Sequence, residues 1–221
     1  MKKFIGITQR LLEESHYREK RETLALDWGR FFSLDIDFLR NENKKFLPLP
    51  LSYEIEFEEY LPFICGVILS GGNDLSVLSE NNLNLQRDRY ERNVIQKSIE
   101  NNIPILGVCH GAQALAHFFG AEFISHQGHI EPHLIHCFDD NFPGIFKVNS
   151  YHCYCIKSLD STLIPLAFDD FGNIEAFVHQ EFKISAMMWH IEREQKLSDI
   201  SLYFFKKFID QIHLKEVNNE K

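Results

Sequence analysis

No stretch of this chain is apolar for long enough to span a membrane, and no segment repeats or falls into low complexity. The opening run from Met1 to Thr8 begins with lysines, but its apolar part stops at Gln9 and Arg10, too short for a signal-peptide core. Cysteine is sparse: Cys65, Cys109, Cys137, Cys153 and Cys155 are five in number, odd and without framework spacing. That pattern suits a reducing cytoplasm and predicts no disulfides. Positive charge is short as well, with 23 Lys and Arg against 32 Asp and Glu and a net charge of -9. Broad attraction to nucleic acid or to an anionic membrane is therefore not expected, although a local anion pocket remains open. Helix signals nearly vanish between Glu122 and Trp189.

What is present is enough apolar content, 44% of 221 residues, to fill the core of one α/β domain spanning 1–221. Lys3 to Thr8 reads as a first strand, the Thr23 to Leu39 region as a helix, and the proline-broken Phe46 to Leu51 as a second strand. Ile64 to Ser70 is a continuous apolar run ended by Gly71 and Gly72, the pattern of a central parallel strand. Gln86 to Asn102 reads as a charged helix, and Pro104 opens the next strand. Short strand signals follow at Glu122–Ser125, His133–Phe138, Ile145–Asn149, Leu163–Phe168, Ile174–Val178 and Ile184–Trp189, with a turn at Asp170-Phe-Gly172. These predict antiparallel pairing in the second half. From Ser198 onward, Ile200, Phe204, Phe208 and Ile212 recur every four residues as a helix packing back on the sheet, and the tail from Glu216 to Lys221 is expected to fray. The predicted architecture is a mostly parallel central sheet with helices on both faces plus a smaller antiparallel region, with ligands beyond the carboxyl ends of the strands.

The run from Ile103 to Gly120 joins a buried-strand pattern to a helix pattern at Cys109. Gly107 and Gly111 stand two residues either side, as a tight strand-to-helix elbow requires. A thiol there meets the N-terminal amides and dipole of the following helix, which favour the thiolate. A small buried apolar cysteine would account for the stretch equally well. In Met187-Met-Trp-His-Ile-Glu-Arg193, His190 and Glu192 lie two apart, on one face if the backbone is extended, so a carboxylate could orient an imidazole base.

The elbow Gly-x-Cys-x-Gly-x-Gln (Gly107, Cys109, Gly111, Gln113), the Ser70-Gly-Gly72 turn and Trp-His-x-Glu together resemble the class I glutamine amidotransferase superfamily, whose fold is flavodoxin-like. Arg87-Asp-Arg-Tyr-Glu91, Val148-Asn-Ser-Tyr-His152 and Asp170-Phe-Gly-Asn-Ile-Glu-Ala176 further resemble its stand-alone γ-glutamyl hydrolase branch. The resemblance runs from Phe4 to about Arg193. It implies a triad of Cys109, His190 and Glu192, and an oxyanion hole from the amides of Gly72 and His110. It also implies substrate contacts from Gly71, Gln113 and a strand carrying Asn149, Ser150, Tyr151 and His152. The substrate would be a small γ-glutamyl compound, with no cofactor. The sequence departs from the branch at Asn149-Ser-Tyr-His-Cys-Tyr154 and Met188-Trp-His-Ile-Glu192, which keeps the triad but leaves the leaving amine open. The whole chain resembles the members of that branch that serve capsular phosphoramidate synthesis, which implies a cytidine diphosphoramidate leaving group.

Arg87 and Arg89 are candidate pyrophosphate contacts, against the plain reading of solvated helix-surface arginines. The Arg87 to Glu91 segment could supply catalytic carboxylates, but an ion-pair network buttressing the site is the preferred reading. His126, His129, His133 and His136 with Cys137, and the pair Cys153 and Cys155 placed on one strand face, are dense enough to weigh as a metal site. A strand with His133 facing in and His136 facing out is the preferred reading, with no metal. The oligomeric state stays open. A glutaminase subunit feeding ammonia to a separate synthase, or a catalytically silent binding protein on the same fold, are the competing functions.

Overall fold

The computed structural model describes residues 3–33, 46–125 and 130–219, as backbone alone at residue 3 and from 213 onward. In chain order the elements are β1 (Lys3–Ile7), β2 (Arg10–Glu13), β3 (Lys20–Thr23), α1 (Leu26–Ser33), β4 (Phe46–Pro50), β5 (Ile64–Leu69) and α2 (Asn82–Glu100). They continue with β6 (Ile105–Val108), α3 (His110–Phe118), β7 (Glu122–Ser125), β8 (His133–Cys137), β9 (Gly144–Val148) and β10 (Tyr154–Ser158). The last are β11 (Leu163–Asp169), β12 (Ile174–His179), β13 (Ile184–Met187) and α4 (Asp199–Asn219).

Among the described residues the main sheet runs β4-β1-β5-β6-β13-β12-β11-β8-β9, with β10 bonded to β12 and β7. The neighbours from β4 to β13 are parallel. Beyond β13 every pairing is antiparallel, as the turn-punctuated short runs predicted. The parallel strands read as unbroken apolar runs because both of their faces are covered. Ile5, Ile68, Leu106 and Val108 pack on one face with Trp28, Phe31, Phe204 and Phe208 of α1 and α4. Val67, Leu69 and Ile105 pack on the other with Val94 and Ile95 of α2 and Ala112 and Leu115 of α3.

Several expectations needed correction. The β2–β3 hairpin was not foreseen, because its strands, RLLE and KRET, bury only Leu11 and carry no alternating apolar signal. Helix α1 starts at Leu26, after β3, and the predicted part from 34 to 39 lies outside the described residues. Helix α2 begins at Asn82, four residues before Gln86, because the Asn81 side chain caps it by accepting from the N–H of Asn84 at 2.9 Å. Residues Asn149 to His152 are not a strand; that stretch is a loop, and the strand starts at Tyr154. Cys153 therefore sits exposed in a bend while Cys155 is buried in β10, so the two thiols share no face. Helix α4 keeps its backbone through Asn219 where fraying was expected.

The arrangement brings three loops together. Strands β5, β6 and β13 are adjacent and parallel, so their carboxyl ends deliver Ser70 to Gly72, Cys109 and His190 to one edge of the sheet.

Candidate active site

Cys109 ends β6 and precedes α3 with φ 52° and ψ -107°, a left-handed backbone rare for a residue with a side chain. Its neighbours make the strain tolerable. A Cβ on Gly111 would run into the carbonyl oxygen of Leu69, and one on Gly107 would lie 2.7 Å from the carbonyl oxygen of Gly111. Only glycines let β5, β6 and α3 converge this closely. The turn is tied at both ends: the Cys109 N–H donates to Met187 O at 2.9 Å, and the Gln113 N–H donates to Cys109 O at 3.1 Å. The His110 N–H, first in α3, has no partner within the helix and lies next to the thiol in sequence.

His190 leaves the end of β13 in extended conformation, and Ile191–Arg193 form a single 3₁₀ turn. His190 and Glu192 are thus not two positions of one strand, as the extended reading supposed. The turn curls the carboxylate back so that His190 Nδ1 and Glu192 Oε1 are 2.6 Å apart, both groups buried. Burial opposes a charge on His190, but Cys109 and the Glu192 carboxylate outweigh burial and raise its pKa to about 10. The site therefore favours the imidazolium form of His190. Asn149 fixes the base from behind: its side-chain oxygen accepts from the His190 N–H and its amide donates to the His190 carbonyl, each at 2.9 Å. Both ends of the Asn149 side chain are used in this way, so it holds the His190 backbone rather than pointing to a ligand.

Gly71 lies against the imidazole, where a Cβ would come within 2.5 Å of His190 Cε1. Gly72 has φ +142°, and a side chain there would collide with Arg87 and Arg10. The loop is held from below by Arg87, which is fully buried, not a helix-surface residue. Its guanidinium donates to Ser70 O at 2.7 Å, to Gly71 O at 3.3 Å and to Glu91 at 2.9 Å. Glu91 also accepts from Thr8 Oγ1 at 2.7 Å and meets His110 Nε2 at 2.8 Å. Burial would raise the Glu91 pKa, but Arg87, His110 and Thr8 together hold it down to about 2. The Arg87 to Glu91 segment is thus the predicted ion-pair network, and it grips the two peptide segments that hold the Gly72 and His110 amides. Arg87 is spent on this task and is not a pyrophosphate contact. Arg89 projects from the exposed side of α2, facing a cleft with Tyr53 and Tyr90.

The remaining predicted residues lie around this centre. Gln113 is buried and donates to Tyr154 O at 2.9 Å. Ser150 is buried, and His152 faces Tyr154 O at 3.1 Å and Glu175 at 3.8 Å. Tyr151 is 51% exposed, its ring edge-on to His190 with centroids 5.5 Å apart. Arg193, which sequence reasoning passed over, lies over the Tyr151 ring at 4.3 Å. The signal for it was its place directly after Trp-His-Ile-Glu. Arg10 was missed too; it reaches Gly72 because Asn73 exchanges two hydrogen bonds with the Leu11 backbone, 2.9 and 3.0 Å, and so pins the β2–β3 hairpin to the loop. His133 faces Glu175 at 3.5 Å, His136 pairs with Asp170 at 2.6 Å on the exposed side, and His126 and His129 lie outside the described residues.

Residues 36–192 match the family Peptidase C26. Gamma-glutamyl-CDP-amidate hydrolase of Campylobacter jejuni is 46% identical over 199 residues, covering 90% of this chain and 94% of that protein. The glutamine amidotransferase-like protein YvdE of Lactococcus lactis is 30% identical, covering 71% of this chain and 78% of that one. Among solved structures, a GMP synthase-type protein of Thermoplasma acidophilum superposes with a TM-score of 0.71 at 20% identity, over 99% of this chain and 98% of the other. A glutamine amidotransferase of Thermotoga maritima gives 0.61 at 20% identity, over 97% and 86%. The fold is that of the flavodoxin-like class I glutamine amidotransferases.

Proposed function

The chain belongs to the Peptidase C26 family, and on that premise we propose that it is a cysteine hydrolase of γ-glutamyl amides, with γ-glutamyl-CDP-amidate as its substrate. The observation that carries the chemistry is the 2.6 Å contact of Glu192 with a buried His190 whose proton affinity Cys109 and Glu192 raise. The Cys109 thiolate attacks the γ-carbonyl, and an S–C bond forms. The N–H groups of Gly72 and His110 take the oxyanion, each such donor being worth about 3 to 4 kcal/mol. His190 gives its proton to the leaving nitrogen as the C–N bond breaks, which leaves a γ-glutamyl thioester. Water, deprotonated by His190, adds to the thioester carbonyl; the S–C bond breaks, glutamate departs and the thiolate returns. The chain supplies the nucleophile, the acid-base group and the oxyanion donors, and a cytoplasmic setting would leave Cys109 reduced.

The test is direct. Purified protein incubated with γ-glutamyl-CDP-amidate should release glutamate and the CDP-amidate in equal amounts, and Cys109→Ser should lower the rate by roughly 10⁴-fold or more with an unchanged circular dichroism spectrum. No glutamate from any γ-glutamyl amide, or equal rates for the serine variant, would refute the reading.

A further inference from the structure

The leaving nitrogen must come to His190, since that is where it takes its proton, and the surroundings of the imidazole restrict what can be attached to it. One side of the ring faces Cys109, another Gly71, and Nδ1 is held by Glu192. A further neighbour is the half-exposed Tyr151, edge-on at 5.5 Å, with the guanidinium of Arg193 over its ring at 4.3 Å. Tyr151 reaches solvent beside the imidazole, so a group leaving with the nitrogen can lie along it, next to Arg193.

Arg193 is available to it. Among the described residues its ion-pair partner is Glu192 at 3.7 Å, a long contact to an oxygen already held by His190 at 2.6 Å. Its side chain is 37% exposed, and the ring beneath orients the planar guanidinium without using its N–H donors. A fork of this kind matches phosphoryl oxygens, and in a chain of net charge -9 an anionic leaving group needs such a local cation. In a phosphoramidate the phosphorus is bonded to the leaving nitrogen itself, so its oxygens lie two bonds from the atom that His190 protonates.

We propose that Arg193, held over Tyr151, is the leaving-group subsite and that it selects γ-glutamyl amides whose nitrogen carries an anionic phosphoryl group. The assignment rests on the proposed function and narrows it. Arg193 would bind the phosphoryl oxygens in the ground state and hold the negative charge as the C–N bond breaks, so both KM and kcat carry its effect.

The experiment compares γ-glutamyl-CDP-amidate with γ-glutamyl-p-nitroanilide, whose leaving group bears no phosphoryl, for the wild type, Arg193→Ala, Arg193→Lys and Tyr151→Leu. Arg193→Ala should lower kcat/KM for the nucleotide-linked substrate by about 10- to 100-fold, the worth of a charge-assisted hydrogen bond, and the loss on the anilide should be at least about tenfold smaller. Arg193→Lys should recover part of the selective loss, and Tyr151→Leu should show it in weaker form. Equal losses on both substrates would mean that Arg193 acts only through Glu192, and no loss on the nucleotide-linked substrate would mean that it has no role; either result overturns the subsite. If the alanine variant does not fold, the lysine variant gives the same comparison. A wild type that cleaves the anilide but not γ-glutamyl-CDP-amidate would instead overturn the substrate reading itself.

Discussion

At the scale of single residues, the His190 imidazolium is the quantity on which the chemistry turns. A histidine with 2% exposure would ordinarily stay neutral; here Cys109 and Glu192 reverse that and carry its pKa to about 10. A raised pKa stabilises the protonated form: the contribution to folding is full below about pH 6.5 and fades as pH climbs through about 10. The alkaline limb of kcat/KM for a γ-glutamyl amide should accordingly fall near pH 10, well above the range of an ordinary histidine. Replacing Glu192 with glutamine removes its negative charge and weakens its hydrogen bond to Nδ1, both of which raise the value. A pH-rate series on Glu192→Gln should show the alkaline limb moved to lower pH, with kcat down by roughly 10³- to 10⁴-fold. An alkaline limb left where the wild type has it would mean that Cys109 alone sets the proton affinity of the base.

At the scale of elements, the site is a set of strand ends brought within reach by close backbone packing. The elbow works because α3 starts directly against the end of β5, with Gly111 pressed on Leu69 and Gly107 on Gly111. Gly111→Ala puts a methyl against a peptide, which cannot rotate aside as a side chain would. It should destabilise the protein by about 3 kcal/mol or more, read as a shift of the urea midpoint without a change in slope. The glycine spacing made this junction legible in advance, because no other residue type serves there. The β2–β3 hairpin was not legible for the opposite reason. Its strands pair through backbone, and the asparagine that pins them, Asn73, lies 62 residues beyond Leu11. The Asn149–His152 loop was misread as a strand because Asn149 and His152 reach the backbones of His190 and Tyr154 through their side chains, with His152 also 3.8 Å from Glu175, rather than through a ladder.

At the scale of the whole molecule, one buried carboxylate ties the layers of the fold together. Glu91 joins Thr8 at the end of β1, Arg87 and through it the Ser70–Gly71 carbonyls after β5, and His110 at the start of α3. Its pKa is depressed to about 2 from an ordinary 4.5, so its contribution is present above about pH 4.5 and is lost as pH falls toward 2. Glu91→Gln leaves Arg87 buried without its counter-charge and should cost about 3 to 5 kcal/mol at neutral pH. Urea titrations from pH 7 down to 2.5 should show the variant losing less stability with acid than the wild type, and parallel curves would mean that other carboxylates set the acid limb. The sequence by itself determined that β5 and β6 are parallel strands with a shared edge and that an elbow lies between β6 and α3, and it singled out Cys109, His190 and Glu192 as candidates. Those features rest on local rules: apolar runs for strands covered on both faces, glycine where backbones touch, and residue types that few other chemistries require together. Only the tertiary structure decided that the His-x-Glu pair meets through a 3₁₀ turn, that Arg87 is a buried clamp, and that Arg193 stands over Tyr151 beside the base. Those depend on which side chain faces which across elements distant in sequence, and burial and pairing across such distances leave no periodic trace along the chain.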